Sequence, residues 1–512
     1  MTTNGRLSRR QLLRAAQAAG AASVAGRVGL FTGGAASLGA LLARRRAEAQ
    51  GGAPIAPKSP HFLIVIAGAG GASIVDSFLA IRASESRNAG ALNTFPDAWV
   101  QGFEGTGLRA VDGSGRSAGQ IPIPWSTNQS SFVRKNLADL LVVTNTVTSV
   151  NHNVGQRRSI TGNEAWRGRT LQECVAAEYG TSFALPNVNM ASQGYVENGT
   201  DRAMPDYAFH EPVANASVWP LSLDGSAGLR GVPSREAILK ARALRDGRLD
   251  PASAFDQTFR RAPALERWKK QRGENVPQLE AAELVRRLLF LPNTPDIPLD
   301  AFGLSPSPDA ERVREKFPRY ASDPFQAQAA LAFLLLKNRV SVTATIGPSF
   351  NVILDGLSTL YNPPLAFDYS HNAHRPAQAI MWQRLLGAAD GLIDLLKAEE
   401  LEPGVSFWDR TLIYFATEFG RDKSRPANAS DWGTGHDLNN GFAMVSPLLR
   451  GGRVLGGVDP DTGLTYGFDP LTGEPDRGAN MAERHVFAGI LQALKVDTSG
   501  SGLPDMRAMV KG

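Results

Sequence analysis

The segment FDYSHNAH, Phe367 to His374, puts one carboxylate and two imidazoles within seven residues, in a chain of 512 residues with seven histidines. An Asp and a His three or more residues apart in a loop can reach one cation together, and a His from another loop can complete the set. Glu418 in ATEFGRD and His436 in GTGHD offer further donors. The candidate metal ligands are therefore Asp368, His371, His374, Glu418 and His436. Each has a plainer role as well: Asp368 as a turn residue, Glu418 as the partner of Arg421, His436 as a hydrogen-bonding loop residue. Spacing alone leaves both readings open. Arg421 and Arg157 carry guanidinium forks that match phosphate or sulfate oxygens, with ion pairs to Glu418 or Glu164 as the alternative. His485 reads as a packed core residue of a helix, and His61 and His210 receive no role. The glycines of GAGGAS lack the third glycine of a dinucleotide-binding turn.

These side chains can meet only if the fold gathers their loops. HFLIVIA (61–67) is a continuous apolar run of strand length that stops at GAGGAS, the pattern of a strand covered on both faces. DLLVVTNT (139–146), VSVTATI (340–346), TLIYFAT (411–417) and GFAMVSP (441–447) are of the same kind. Helical spacing lies between them. The clearest case starts at Pro376, a good first-turn residue, and places Ala377, Ile380, Met381, Leu385, Ala388, Leu392 and Leu396 on one face. TLQECVAAEYG, AAELVRRLLFL, FQAQAALAFLLLKNR and AERHVFAGILQALKV are further helices. Strands alternating with helices predict an α/β fold with a mainly parallel sheet. In such sheets ligands bind beyond the carboxyl ends of the strands. NHNVGQRRSITG follows the strand ending near Thr146, TEFGRD closes the strand 411–417, DWGTGHD comes just before 441–447, and FDYSHNAH precedes the long helix, so these loops are expected at one edge.

The α/β domain is read in two parts, 61–200 and 336–512. Between them, 201–335 reads as a mostly helical insertion or cap whose charges form a solvated face. Near the end, RGGRVLGGVDPDTGLTYGFDPLTGEPDRG carries turn signals between short apolar pieces and predicts a β-hairpin excursion.

The N-terminus pairs Arg9 with Arg10 ahead of a weakly apolar run from about Ala15 to Ala43, then Ala47 and Ala49 flanking Glu48. That pattern predicts an export signal, residues 1–49, of the twin-arginine kind, with 50–60 as a linker; an uncleaved membrane anchor is the alternative. The expected partner is the twin-arginine translocase, the expected location periplasmic or secreted, with no stable membrane span after processing. Residues 1–49 hold eight Arg and one Glu, a net +7 within a chain total of +5, which leaves −2 for the remainder. The basic balance belongs to the signal, and nothing supports nucleic-acid binding. With Cys174 alone no intrachain disulfide can form, so stability must come from packing and, in one reading, a bound metal.

The series GAGGASIVDSF, NHNVGQRRSITG, FDYSHNAH before a helix, ATEFGRD, GTGHDLNNGFAMVSP and RHVFAGILQAL resembles the exported proteins of the domain of unknown function 1501 family, over residues 61–180 and 340–497. TEFGR followed some fifteen residues later by GHD is the most specific part. The resemblance implies the alkaline phosphatase and sulfatase superfamily: a three-layer α/β/α sandwich with metal ions at the strand ends. In the active hydrolases of that superfamily a hydroxyl or thiol nucleophile lies nine residues before the Thr of a T-G pair; counted from Thr161, that position holds His152. The first strand runs into Gly68 where the superfamily has Asp, with Asp76 the nearest carboxylate, and its Asp-His pair is replaced by Glu418 and Phe419. The half that remains, Asp368, His371 or His374, and His436, implies one divalent ion, Zn²⁺ or Mn²⁺. By the same resemblance His152 is a nucleophile, general base or ligand, Arg421 joins it as a catalytic residue, and Arg157 and Asn151 hold an anionic small-molecule ester. Two functions are expected: a metal-dependent hydrolase of phosphate or sulfate esters with a degenerate site, or a non-catalytic periplasmic binding or assembly protein that keeps the hydrolase fold.

Overall fold

The computed structural model describes residues 58–112, 116–118, 121–125, 129–191, 198–223, 233–262, 265, 266, 268, 269, 272, 283–348 and 366–512. The predicted export signal and most of the linker lie outside them.

Eight strands form one mixed sheet: β1 (Phe62–Gly68), β2 (Leu140–Thr146), β3 (Asn187–Asn189), β4 (Glu211–Pro212), β5 (Thr343–Ile346), β6 (Thr411–Thr417), β7 (Asn439–Val445) and β8 (Arg453–Leu455). Their order is β8-β2-β7-β6-β1-β5-β3-β4. β1 lies parallel to both β6 and β5, and all seven of its residues are buried, which is why its sequence shows no polar alternation. β7 alone runs against its neighbours, β6 and β2. Its first residue, Asn439, pairs with Thr146, the last of β2, so the segment entering β7 sits at the edge where the parallel strands end. The register of β1 and β6 closes on Gly68 and Thr417, which brings GAGGAS and TEFGRD to that same edge.

Helices cover both faces of the sheet. Tyr414 and Phe415, successive residues of β6, point to opposite sides. Phe415 meets Trp382 of α4 (His374–Lys397) and Phe132 of α1 (Gln129–Asn136), with ring centroids 6.3 and 6.1 Å away. Tyr414 donates its hydroxyl to the Ser159 carbonyl at 2.8 Å and lines a small cavity with Leu171 of α2 (Leu171–Tyr179) and Phe487 and Ile490 of α5 (Glu483–Ala493). Helix α3 (Pro324–Lys337) packs beside α4, starts on an Asp323 cap and buries eleven of its fourteen residues, consistent with its nearly uninterrupted apolar sequence. The long helix predicted from Pro376 begins two residues earlier, with Pro376 in its first turn, where the missing N–H costs nothing.

The stretch 201–335 divides. β4 joins the edge of the main sheet through β3, α3 belongs to the helical layer, and between them Leu284, Leu288, Ala310 and Val313 pack into the main core, so the intervening part is tied to the α/β domain and only some of it builds a core of its own. That part carries helices Arg235–Leu244, Ala254–Phe259, Leu284–Leu288 and Ala310–Lys316, and a separate apolar cluster built from Val218, Leu221, Val285, Leu289, Leu291, Ile297, Leu299 and Leu304. β8 extends the main sheet beyond β2. The chain then turns through short antiparallel strands at Gly457–Val458, Thr465–Phe468 and Pro475–Asp476, with Asp459 and Asp469 accepting backbone N–H bonds in the two turns. No helix among the described residues is long and apolar enough to cross a membrane.

Candidate functional site

Four loops meet beyond the strand ends, and local packing fixes each. After β2, Asn151 caps the short helix His152–Gly155 by accepting the Val154 N–H at 3.3 Å. That helix rests on the residue following β6: a Cβ on Gly155 would lie 3.0 Å from the Glu418 carbonyl oxygen, so a larger residue would push apart the two segments that bring His152 to Glu418. Asp368 and His371 occupy the turn Phe367–His371 ahead of α4. Gly70, at φ +90°, lies so close to Asp368 that a Cβ would overlap its backbone nitrogen at 2.1 Å. His436 sits on the two-residue strand His436–Asp437, paired antiparallel with Gly420–Arg421.

The side chains converge. From Asp368 Oδ1 the distances are 3.3 Å to His371 Nε2, 3.6 Å to His436 Nε2 and 3.7 Å to His152 Nε2. One ligand atom each from His152, Asp368 and His436 lies within 4.8 Å of the other two. His371 touches Asp368 and also approaches His436, Nε2 to Nε2, at 2.8 Å. It is the most exposed of the four, with 42% of its side chain accessible. Phe419 stacks under the His436 ring with centroids 4.0 Å apart and meets His152 edge-on at 5.1 Å, which gives the cluster an apolar floor.

Hydrogen bonding sets the ring orientations. The Val150 carbonyl can only accept, so His436 Nδ1, 2.9 Å away, donates to it, and neutral His436 carries its lone pair on Nε2. His152 Nδ1 lies 2.5 Å from Glu418 Oε2, which leaves its Nε2 facing Asp368 and His436. This is the arrangement of metal-binding histidines, whose second ring nitrogen rests on a carboxylate or carbonyl. Burial alone would raise the pKa of Asp368; without a metal, a hydrogen bond from protonated His436, the Arg421 guanidinium and the charges of protonated His152 and His371 outweigh it and hold it at about 2. The hydrogen bond to Glu418 raises the pKa of His152 against the effect of burial. Burial, reinforced by the charge of Arg421, lowers that of His371.

The donors could hold a divalent ion. Ligand atoms about 2.0–2.2 Å from one cation stand roughly 3–3.6 Å from each other; His436 and His152 stand 3.6 and 3.7 Å from Asp368 Oδ1, and the three donor atoms lie within 4.8 Å of one another, so binding would draw them slightly closer. Two imidazoles and a carboxylate suit Zn²⁺ or Mn²⁺ and leave coordination positions open toward solvent.

The remaining candidates stand elsewhere. His374 is fully buried: Nδ1 meets Thr434 Oγ1 and Nε2 meets Asp76 Oδ2, each at 2.9 Å, so neither nitrogen is left for a cation. Glu418 is also buried, and both of its oxygens are occupied, Oε2 by His152 and Oε1 by Gly70 N–H (3.1 Å) and Gln156 Nε2 (3.0 Å). It backs the cluster instead of ligating. Arg421 is inaccessible, its guanidinium spent on the carbonyls of Gly70, Gly71 and Thr434 and on Asp368 Oδ1 at 2.9 Å. It orients and neutralises Asp368 and cannot grip a substrate directly. Asn151 is a helix cap, and Arg157 is exposed on the next turn, while its neighbour Arg158 pairs with Glu164 at 2.7 Å. The supporting groups Val150 and Gln156 have no sequence signature, because one acts through its carbonyl and the other through a contact formed only on folding. Comparison with protein-family models and with curated proteins returns no match, so the chemistry of this site rests on its own geometry.

Proposed function

We propose that the protein is an exported, single-metal hydrolase of phosphate or sulfate esters, with an alkaline-phosphatase-like α/β/α fold as the resemblance to the domain of unknown function 1501 proteins implies. The observation that carries this reading is the convergence of His152, Asp368 and His436 from three separate segments, with two imidazoles presenting Nε2 to one region. A scaffold gains nothing from gathering such groups at an open strand edge. A divalent cation held there by His152, Asp368 and His436, with His371 beside them, would polarise an ester oxygen and lower the pKa of a bound water. With the imidazoles neutral, Asp368 and Glu418 against Arg421 leave one negative charge in excess, so a loaded centre is net positive and favours an anionic substrate. Arg157 and Asn151, which the resemblance assigns to an anionic ester, lie on the segment that carries His152. Phe419 and the buried Arg421 keep one side of the centre dry and fixed.

A second reading, a binding or assembly protein without turnover, is favoured by one observation: the guanidinium expected to hold the substrate, Arg421, is consumed by backbone carbonyls. One experiment separates the two. Protein purified after export is expected to contain about one equivalent of Zn²⁺ or Mn²⁺ and to hydrolyse an aryl phosphate or aryl sulfate. Chelation should abolish the activity and re-addition restore it. Metal without turnover on either ester class selects the binding protein, and metal-free protein that takes up no ion removes the hydrolase reading.

A further inference from the structure

Glu418 is a carboxylate at the candidate centre that has no place on the cation, and its surroundings assign it another task. We infer that Glu418 is a positioning residue: it holds His152 through Nδ1, aims Nε2 at Asp368 and His436, and thereby sets how tightly a divalent ion binds. The inference rests on the single-metal reading above.

Four observations support it. Glu418 is fully buried, and a carboxylate is tolerated there only when its oxygens are hydrogen-bonded, so the fold must supply its donors. Its Oε1 is clamped by Gly70 N–H and Gln156 Nε2, which stops the carboxylate from rotating toward the cluster. Its backbone is clamped as well, because Ser159 Oγ donates to its carbonyl at 2.9 Å and Gly155 packs against the same atom. Lastly, His436 reaches the same orientation independently, with Nδ1 on the Val150 carbonyl. Two imidazoles from unrelated segments thus share one arrangement, Nδ1 on a fixed oxygen and Nε2 inward. Fixing the tautomer of a ligand in this way removes the cost of selecting it when the ion arrives, and the negative charge makes the imidazole a better donor.

The test is a zinc-affinity titration of the purified full-length chain, by competition with a chromophoric chelator, beside Glu418→Gln, which keeps the shape and removes the charge. Affinity is expected to fall about 10- to 100-fold, while the absorption band of the Co²⁺-loaded variant keeps the intensity of the unaltered protein, because the donors are the same. Equal affinity overturns the inference. Loss of the Co²⁺ band intensity at saturating metal also overturns it, since Glu418 would then be a ligand. If Glu418→Gln does not fold, Gln156→Met removes one clamp on Oε1 and leaves Glu418 and His152 in place. An affinity loss of about 3- to 10-fold is then expected, and no change overturns the inference. Failure of the unaltered chain to bind Zn²⁺ or Mn²⁺ overturns the single-metal reading itself, a result distinct from the others.

Discussion

The molecule contains two histidine and aspartate groupings about one loop apart, and they are built differently. In the His374–Asp76 pair both ring nitrogens are consumed, the ring is stacked on Trp432 with centroids 5.4 Å apart, and the accessible area is zero. Around Asp368, His152 and His436 each use one nitrogen on a fixed oxygen and turn the other toward a shared region at the surface. Residue type is the same in both. What separates scaffold from site is access: His374 is closed in by buried partners, whereas the inward nitrogens of His152 and His436 meet only other members of a partly exposed cluster, from which an ion can displace them.

Three measurements would break or sharpen this contrast. The largest effect is expected for His436→Ala, which should weaken zinc binding by roughly 1000-fold, about 4 kcal/mol. The metal-free variant should melt within a few degrees of the unaltered chain, because the residue is partly exposed. Unchanged affinity in the titration would place the cation elsewhere. Next, His374→Ala takes one hydrogen-bond partner from the buried Asp76 and leaves Asn93 Nδ2 at 2.8 Å, and should cost about 2–3 kcal/mol by urea denaturation. Zinc affinity of the folded variant should hold within about threefold, and a stable variant with lost affinity would make the pair part of the centre.

The smallest effect concerns a carboxyl that has neither arrangement. Glu211 is buried with Oε2 unpartnered among the described residues, and burial pushes its pKa from 4.5 up to about 8. The folded chain keeps a proton that the unfolded chain releases, so stability should decline as pH rises from about 4.5 toward 8 and then level off. The shift caps the loss at about 5 kcal/mol, relaxation and water reaching the charged form should hold it to about 2 kcal/mol, and Glu211→Gln should flatten it. A slope that persists in that variant, in urea melts at about pH 5, 7 and 9, would assign it to another group.

Much of the frame was legible. Continuous apolar runs marked β1, β2, β6 and β7 to within two residues, because strands buried on both faces carry no polar face to confuse the pattern. β3 and β4 were not legible: at three and two residues they are too short to show a period, and only their neighbours make them strands. At the site, residue type and loop position point to Asp368, His371 and His436, and the fold brings these three side chains together. His374, spaced as well as His371, was not separable from it. The residue lies at the first position of α4, and the helix turns its ring inward against Asp76, a consequence of packing that no local spacing records. Residue type offers Glu418 as a metal donor and Arg421 as an anion-holding fork, with an ion pair between them as the alternative. Their complete burial, with carbonyls and amides from Gly70, Gly71, Gln156 and Thr434 closing around them, decided otherwise.

By itself, the sequence determined the alternation of buried strands and helices, and with it the edge where the polar loops would gather, since hydrophobic period and chain order are local properties. Which of those polar atoms remain free was decided by tertiary structure alone. That outcome depends on hydrogen bonds between residues tens to hundreds of positions apart, such as His152 to Glu418 and His436 to Val150, and on glycines that let two backbones touch. A lone pair is available only when every nearer donor has found another acceptor.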